Sequence, residues 1–511
     1  MNRFASQLAV LAFVLAAGPL AAQQPAKSPA DTTLKAAPAE SSSVTSHTVT
    51  IDGQTIKYSA RAGNLLVKND SNAVIGSMFY VAYTKDGADL QHRPVTFLFN
   101  GGPGSSSVWL HLGSFAPVRV ATTDAEPTPP APYTLAENPF SLLDRTDLVF
   151  IDAMATGFSR IAGKGTGKDF FGTDQDIRAF GDFILRYATV FGRWNSPKYL
   201  LGESYGTTRA AGLANALQAR GMPLNGLVLV SSWLNGYVDF GGPPFSLELT
   251  YQLYLPTMAA TAWYHHALPR EHPSLPQLLQ EVREFSLGAY QHALNQGSHL
   301  SDRERDSVVA KLHEYTGLPE EFIRQARLRI TPDRFQKELL RGKQRTVGRL
   351  DARFVGVDHD AAGESPEYDP ADAAINGPFT TAFNQYLQSE LHYDGGTTYL
   401  TTNYPVVGAD WDSRHRVAGG RWPIPDVSED LRQAMSQNPY LRVFSANGYY
   451  DFATPFFETE YTLQHMGLDP VLEKNISYGY YESGHMIYLH QGALAQMKHD
   501  LAAFYDQGQT K

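Results

Sequence analysis

Between an apolar run, Tyr199-Leu200-Leu201, and an alanine-rich run from Arg209 to Ala219 stands the string Gly202-Glu203-Ser204-Tyr205-Gly206. This reads as strand, sharp turn, helix. The glycines flanking Ser204 permit a strained turn that lifts its hydroxyl out at the carboxyl end of a strand, against a helix N-terminus. A string with three fixed positions recurs in long chains, so partners must come from elsewhere in the sequence.

The surrounding chain supplies a fold for this turn. Residues from His47 to Thr84 alternate apolar and polar positions around Asp52-Gly53 and Asn69-Asp70, and read as antiparallel strands at a sheet edge. Short apolar runs follow at Val95 to Phe99, Asp147 to Asp152 and Leu227 to Ser231, with helical stretches at Asp174 to Arg186 and after Ser204. Strands alternating with helices imply an α/β fold, its mostly parallel sheet covered on both faces. From Gly236 to about Tyr393 helical patterns replace the strand runs, and residues 237–394 read as a helical cap insertion that encloses substrate. The sheet resumes at Leu441 to Ala446 and Asn475 to Tyr478, and a helix from Gly492 to Tyr505 closes the chain. Residues 47–236 and 395–511 form the core on this reading.

Arg3, an apolar run from Leu8 to Ala17 and the small residues before Ala22 read as a cleaved export signal over 1–22, and the Pro/Ala/Ser/Thr-rich stretch 23–46 as a flexible linker. The apolar run is short of the roughly 20 residues that a spanning helix needs. With no cysteine in 511 residues, disulfides, thiol nucleophiles and cysteine metal sites are excluded. An exported chain without disulfides fits a bacterial periplasmic or secreted address. The formal charge of -10 argues against nucleic acid, which requires a basic face. Gly163 to Lys168 is no phosphate loop, because Asp169 replaces the magnesium-binding hydroxyl. His265-His266 and Asp358-His359-Asp360 lack metal-ligand spacing; no metal and no cofactor are expected.

A serine hydroxyl is a poor nucleophile until a histidine takes its proton, and that histidine needs a carboxylate to orient it. His485, in Gly484-His485-Met486, and Asp451 each follow a strand run, and the order Ser204, Asp451, His485 is that of α/β hydrolases. Asp410 and Asp412 are the competing acids, without a strand run directly before them. The glycine-dense loop Asn100-Gly101-Gly102-Pro103-Gly104-Ser105-Ser106-Ser107 follows the early strand, where this fold draws one oxyanion donor.

These motifs, together with Gly157-Phe158-Ser159 and Asn447-Gly448, resemble the serine carboxypeptidase family over about residues 50–236 and 395–505. The resemblance implies an α/β-hydrolase fold and a triad of Ser204, Asp451 and His485. It implies oxyanion donors at the backbone N–H groups of Gly102 and Tyr205, and capture of the substrate carboxylate by Asn100 and Glu203. The partner is then a peptide with a free C-terminus, hydrolysed with a preference for acid pH, since two adjacent carboxyl groups cannot both ionise and Glu203 must carry a proton. An esterase or acyltransferase using the same triad is the alternative, and a silent binding protein a third. Leu98, Ala153, Ala155 and Thr207-Thr208 depart from the family pattern at positions expected to line or support the pocket.

Overall fold

The computed structural model describes residues 33–34, 36, 38–238, 248–417 and 419–509. The expected export signal over 1–22 lies outside the described residues.

Ten strands build most of one 11-stranded sheet. They are β1 (Ser42–Ile51), β2 (Gln54–Lys68), β3 (Val74–Lys85), β4 (Val95–Phe99), β5 (Asp147–Ile151), β6 (Arg160–Ala162), β7 (Lys198–Ser204), β8 (Gly226–Ser232), β9 (Arg442–Gly448) and β10 (Ile476–Tyr481). The order from β6 is β6-β3-β5-β4-β7-β8-β9-β10, with β1 and β2 continuing from β3. From β5 to β10 every neighbouring pair is parallel, whereas β1, β2, β3 and β5 pair antiparallel. Parallel strands need crossovers that cover the faces, and the pattern of the apolar runs follows from that. Tyr199 and Leu201 pack on one face with the carboxyl-terminal helix, while Leu200 between them packs on the other with the helices flanking β7. The α/β-hydrolase architecture expected from the sequence is what the chain forms.

The helices that matter for the site are α1 (Thr173–Val190), α2 (Tyr205–Ala219), α3 (Leu249–Tyr264), α4 (Leu275–Phe285), α5 (Asp302–Thr316), α6 (Pro370–Ser389), α7 (Ser428–Gln437) and α8 (Gln491–Gln509). Helices α3, α4 and α5 share a hydrophobic core of their own, which extends to Tyr450, Phe452, Phe456 and Phe457 after β9. Helix α6 differs from the helices that precede it. Its Phe379, Phe383 and Tyr386 join the main core, with Phe379 tilted on Trp109 at 5.2 Å and Phe383 edge-on to His111 at 4.9 Å. The helical period of α6 is the same whichever core it faces, so only the packing separates it from α3, α4 and α5.

The expected linker is corrected at its end. Ser42 to Ser46 are strand, because β1 pairs with β2 over its whole length, Ser42 opposite Gly63 and Ile51 opposite Gln54. An edge strand holds its place through backbone bonds and tolerates polar side chains on the wet face. Ordering reaches further back, since the Asn64 amide donates to Ala39 O (3.2 Å) and its Oδ1 accepts from Ser41 N (2.9 Å).

The loops after β9 and β10 meet backbone to backbone. A Cβ on Gly448 would stand 2.1 Å from Gly484 O and 2.7 Å from Ser483 O. Gly448→Ala therefore forces two backbones apart and is expected to cost about 1–3 kcal/mol, with a lower Tm in thermal unfolding. Gly408→Ala, where a Cβ meets nothing within 4 Å, should unfold like the parent; equal Tm values for the two variants would contradict this packing account.

Candidate active site

The elbow is strained in the way its glycines imply. Ser204 ends β7 and caps α2 with φ 60° and ψ -133°, a conformation L-residues rarely adopt. The register of β7 against β8 shifts between Glu203 and Ser204. Space is made by absent side chains: a Cβ on Gly202 would lie 2.1 Å from Gly206 O, and one on Gly206 2.7 Å from Phe99 O. Thr207 Oγ1 donates to Ser204 O (2.7 Å) and accepts from Trp233 N (2.8 Å), and Thr208 Oγ1 donates to Trp233 O, so the turn is tied to the end of β8. These two threonines brace the elbow, and Leu98 is buried in the core within β4.

The strand order β7-β8-β9-β10 brings the carboxyl ends of the strands before Ser204, Asp451 and His485 to one edge of the sheet. His485 Nδ1 stands 2.8 Å from Asp451 Oδ2, with both residues buried. Asp451 Oδ1 accepts from Ala453 N (2.7 Å) and Thr454 N (3.0 Å), and the Thr454 hydroxyl donates to Oδ2 (2.8 Å) while lying 3.1 Å from His485 Nδ1. Three contacts thus orient the carboxylate toward the imidazole. Burial pulls the His485 pKa down, but the charge and hydrogen bond of Asp451, helped by the charge of Glu203, outweigh it and hold the pKa above its ordinary value. The competing acids are elsewhere: Asp412 is engaged by Arg414 (2.8 Å) and Arg421 (3.2 Å), and Asp410 is exposed. His265 is engaged by Ala352 O (2.7 Å), and Asp358 is paired to buried Lys337 (2.5 Å).

Asn100 and Glu203, 103 positions apart, meet in the interior. Asn100 Nδ2 donates to Glu203 Oε1 at 2.8 Å. Its orientation is set from behind, because Asn100 Oδ1 accepts from Leu110 N (2.9 Å) and only the amide nitrogen can then face the carboxyl group. Arg209, in the second turn of α2, donates to Asn100 O (2.7 Å) and to Asp176 Oδ2 (2.7 Å), with its guanidinium 4.1 Å above the Phe180 ring. Glu203 is 1% exposed and Oε2 has no hydrogen bond within 3.5 Å; the Tyr488 hydroxyl is its near neighbour. Burial pushes the Glu203 carboxyl up to about 7 against the opposing pull of His485, Tyr488 and Asn100.

Gly102 is exposed, with φ +114°, and its loop passes directly over the start of α2. A Cβ on the preceding Gly101 would lie 2.5 Å from Tyr205 N. Tyr205 opens α2, so its N–H has no carbonyl within the helix to bond. The loop is held from below by Asp152, whose Oδ1 accepts from Ser107 N (2.8 Å). Tyr404, 49% exposed, lies over it, with Cε1 3.1 Å from the Cβ position of Gly102. Arg209, Asp152, Thr454, Tyr488 and Tyr404 carry no motif that singles them out in the sequence; only the Thr454 position, three residues after an acid, resembles a turn that caps a carboxylate.

Comparison with known proteins agrees with this geometry. The family described as serine carboxypeptidase matches residues 52–244. Among curated proteins, the pheromone-processing carboxypeptidase KEX1 of Cryptococcus gattii is 30% identical over 158 residues, covering 29% of this chain and 22% of that protein. The corresponding protein of Aspergillus niger is 26% identical over 246 residues, 48% of this chain and 36% of that protein. The chain thus aligns with well under half the length of these relatives. Among solved structures, the prohormone-processing carboxypeptidase KEX1 from Saccharomyces cerevisiae superposes with a TM-score of 0.53 at 16% identity, over 88% of this chain and 91% of that one, a likeness of fold. Residues 52–244 are thus similar to the serine carboxypeptidase family, and they lie within an α/β-hydrolase fold.

Proposed function

We propose that this chain is a serine-type carboxypeptidase, which hydrolyses the last peptide bond of a peptide with a free C-terminus through an acyl-enzyme intermediate. The observation that carries the reading is the buried pair of Asn100 with Glu203, the residue immediately before the elbow serine. An amide and a protonated carboxyl group side by side offer two donors to an incoming carboxylate, and a neutral ester has no use for them.

In this mechanism Ser204 Oγ adds to the scissile carbonyl carbon as its proton passes to His485 Nε2, while Nδ1–H remains on Asp451. The carbonyl oxygen becomes an oxyanion that accepts from the N–H groups of Gly102 and Tyr205. Collapse breaks the C–N bond, and His485 gives its proton to the departing nitrogen. The terminal amino acid leaves, and the remaining acyl group is an ester on Ser204. Water then attacks that ester, with His485 taking and returning the proton, and Ser204 is regenerated.

The terminal carboxylate stays ionised and Glu203 carries the shared proton, so a Glu203 pKa of about 7 retains it through the acid range. His485 must be neutral to act as base. Glu203 raises the His485 pKa only while it is ionised, so protonating Glu203 removes that part of the rise. Helices of the 237–394 segment are the proposed substrate cap, supported by the core they share with Tyr450 and Phe452 beside Asp451. No described helix is long and apolar enough to cross a membrane. Export to the periplasm or medium belongs to the same proposal, supported by the basic start, apolar run and small residues before Ala22.

Blocked dipeptides with a free C-terminus should release the terminal amino acid, detected by mass spectrometry, and Ser204→Ala should lower kcat by at least about 10⁴-fold. Equal cleavage of C-terminally amidated peptides would remove the carboxylate pair from the reading. The kcat/KM profile for peptides should be bell-shaped, with an acid limb from His485 and an alkaline limb from Glu203. Glu203→Gln should lose the alkaline limb and keep the acid one; a persisting alkaline limb would sink the shared proton. Amino-terminal sequencing of the exported protein should begin after the small-residue region ending at Ala22, and a mature protein that retains Met1 would refute cleavage.

A further inference from the structure

The segment from Arg349 to Ala352 lies against both loops that carry Asp451 and His485, and its backbone is bonded to each. Phe452 N donates to Arg349 O (3.0 Å), Ala352 N donates to Tyr450 O (3.0 Å), and His485 N donates to Leu350 O (2.6 Å). The approach is close enough that a Cβ on Gly484 would stand 2.4 Å from Leu350 O. Residue 349 is thus positioned by the same contacts that position the acid and the imidazole.

What the Arg349 side chain does there is unusual for its neighbourhood. Arg353, four residues on, is buried and engaged by Asp351 (2.6 Å) and Asp124 (3.0 Å). Arg349 is exposed, and among the described residues its guanidinium makes no hydrogen bond and no ion pair. Asp369, on which the Arg349 charge also acts, has its hydrogen bonds taken by backbone: it accepts from Arg349 N (3.1 Å), Leu350 N (2.9 Å) and Ala371 N (3.0 Å). The guanidinium still bears on the reaction centre, since its charge acts on His485 and on Tyr404, whose ring covers Gly102, and on Asp372 in the first turn of α6. The Arg349 charge is the smallest of the effects on His485; it disfavours the cationic imidazole, and a bound anion would relieve it.

We propose that Arg349 is a specificity-determining residue, which pairs with a carboxylate of the bound peptide at the mouth of the site. The inference rests on the carboxypeptidase reading. A guanidinium takes a carboxylate through two parallel N–H bonds, and Arg349 has its whole fork available. Such a pair would also neutralise the charge that otherwise weighs on His485. Two carboxylates of a peptide substrate have this chemistry: the terminal one, shared with Asn100 and Glu203, and the side chain of an acidic residue next to the scissile bond.

Three substrates separate the sources: a blocked dipeptide with neutral side chains and a free C-terminus, the same peptide with glutamate beside the scissile bond, and a neutral ester without a carboxylate. For Arg349→Gln, the ratio of kcat/KM on the carboxylate substrate to that on the ester should fall about three- to tenfold, mainly through KM, the range for a charge-assisted pair open to solvent. Arg349→Lys should recover part of the loss. A fall confined to the glutamate peptide identifies the side chain, and a fall on both peptides identifies the terminal carboxylate. Ratios equal to those of the parent would overturn the inference while leaving the carboxypeptidase reading intact. If the parent protein releases no terminal residue, that reading fails first and the inference with it.

Discussion

The site depends on three stretches of backbone meeting where no side chain could fit. At Gly202 and Gly206 the elbow folds onto itself, and at Gly101 the loop after β4 closes onto the first N–H of α2, with would-be Cβ contacts of 2.1 to 2.7 Å. Substituting any of these residues moves backbone against backbone, which no rotamer change can relieve. The unfavourable φ of Ser204 persists because the surrounding sheet and helix over-determine it. Those same close approaches put Gly101 beside Tyr205 and Asn100 beside Glu203.

Around that frame lies a chain of buried polar groups, each oriented by the next. Asp176 holds Arg209, Arg209 holds the Asn100 carbonyl, Leu110 N sets the Asn100 amide, and the amide faces Glu203. A buried carboxyl group with one partner prefers to keep its proton, and Glu203 does so up to about 7. His485 is in the opposite position, since Asp451 favours its charged form. The two groups act on each other, so their protonation belongs to the pair and is sensitive to any further charge at the mouth. The charge of Arg349 acts on His485, and its backbone belongs to the segment bonded to both the Asp451 and His485 loops.

Much of the core was legible because strand and elbow leave periodic or glycine signals. Val95 to Phe99 is a strand at the bounds its apolar run suggests, five residues buried on both faces. Ser42 to Ser46 were not legible as strand, since an edge ladder is made of backbone and asks nothing of serine side chains. Helix α6 read as part of the insertion because amphipathic period does not say which core a face will meet. Leu98 and the two threonines after the elbow read as positions that line or support the pocket; Leu98 is buried in the core and the threonines brace the turn.

By itself, the sequence determined the elements whose signals are local: the glycines of the elbow and of the Asn100 loop, the alternation of strands and helices, and the chain order of serine, aspartate and histidine. Tertiary structure alone decided what depends on contact across long separations. Asn100 and Glu203 are far apart in the chain and 2.8 Å apart in space, and Thr454, Arg209 and Asp152 gain their roles from partners that no motif announces. Burial is likewise a property of the assembled fold, and it is burial that turns Glu203 from an ordinary carboxylate into a group that holds its proton near neutrality.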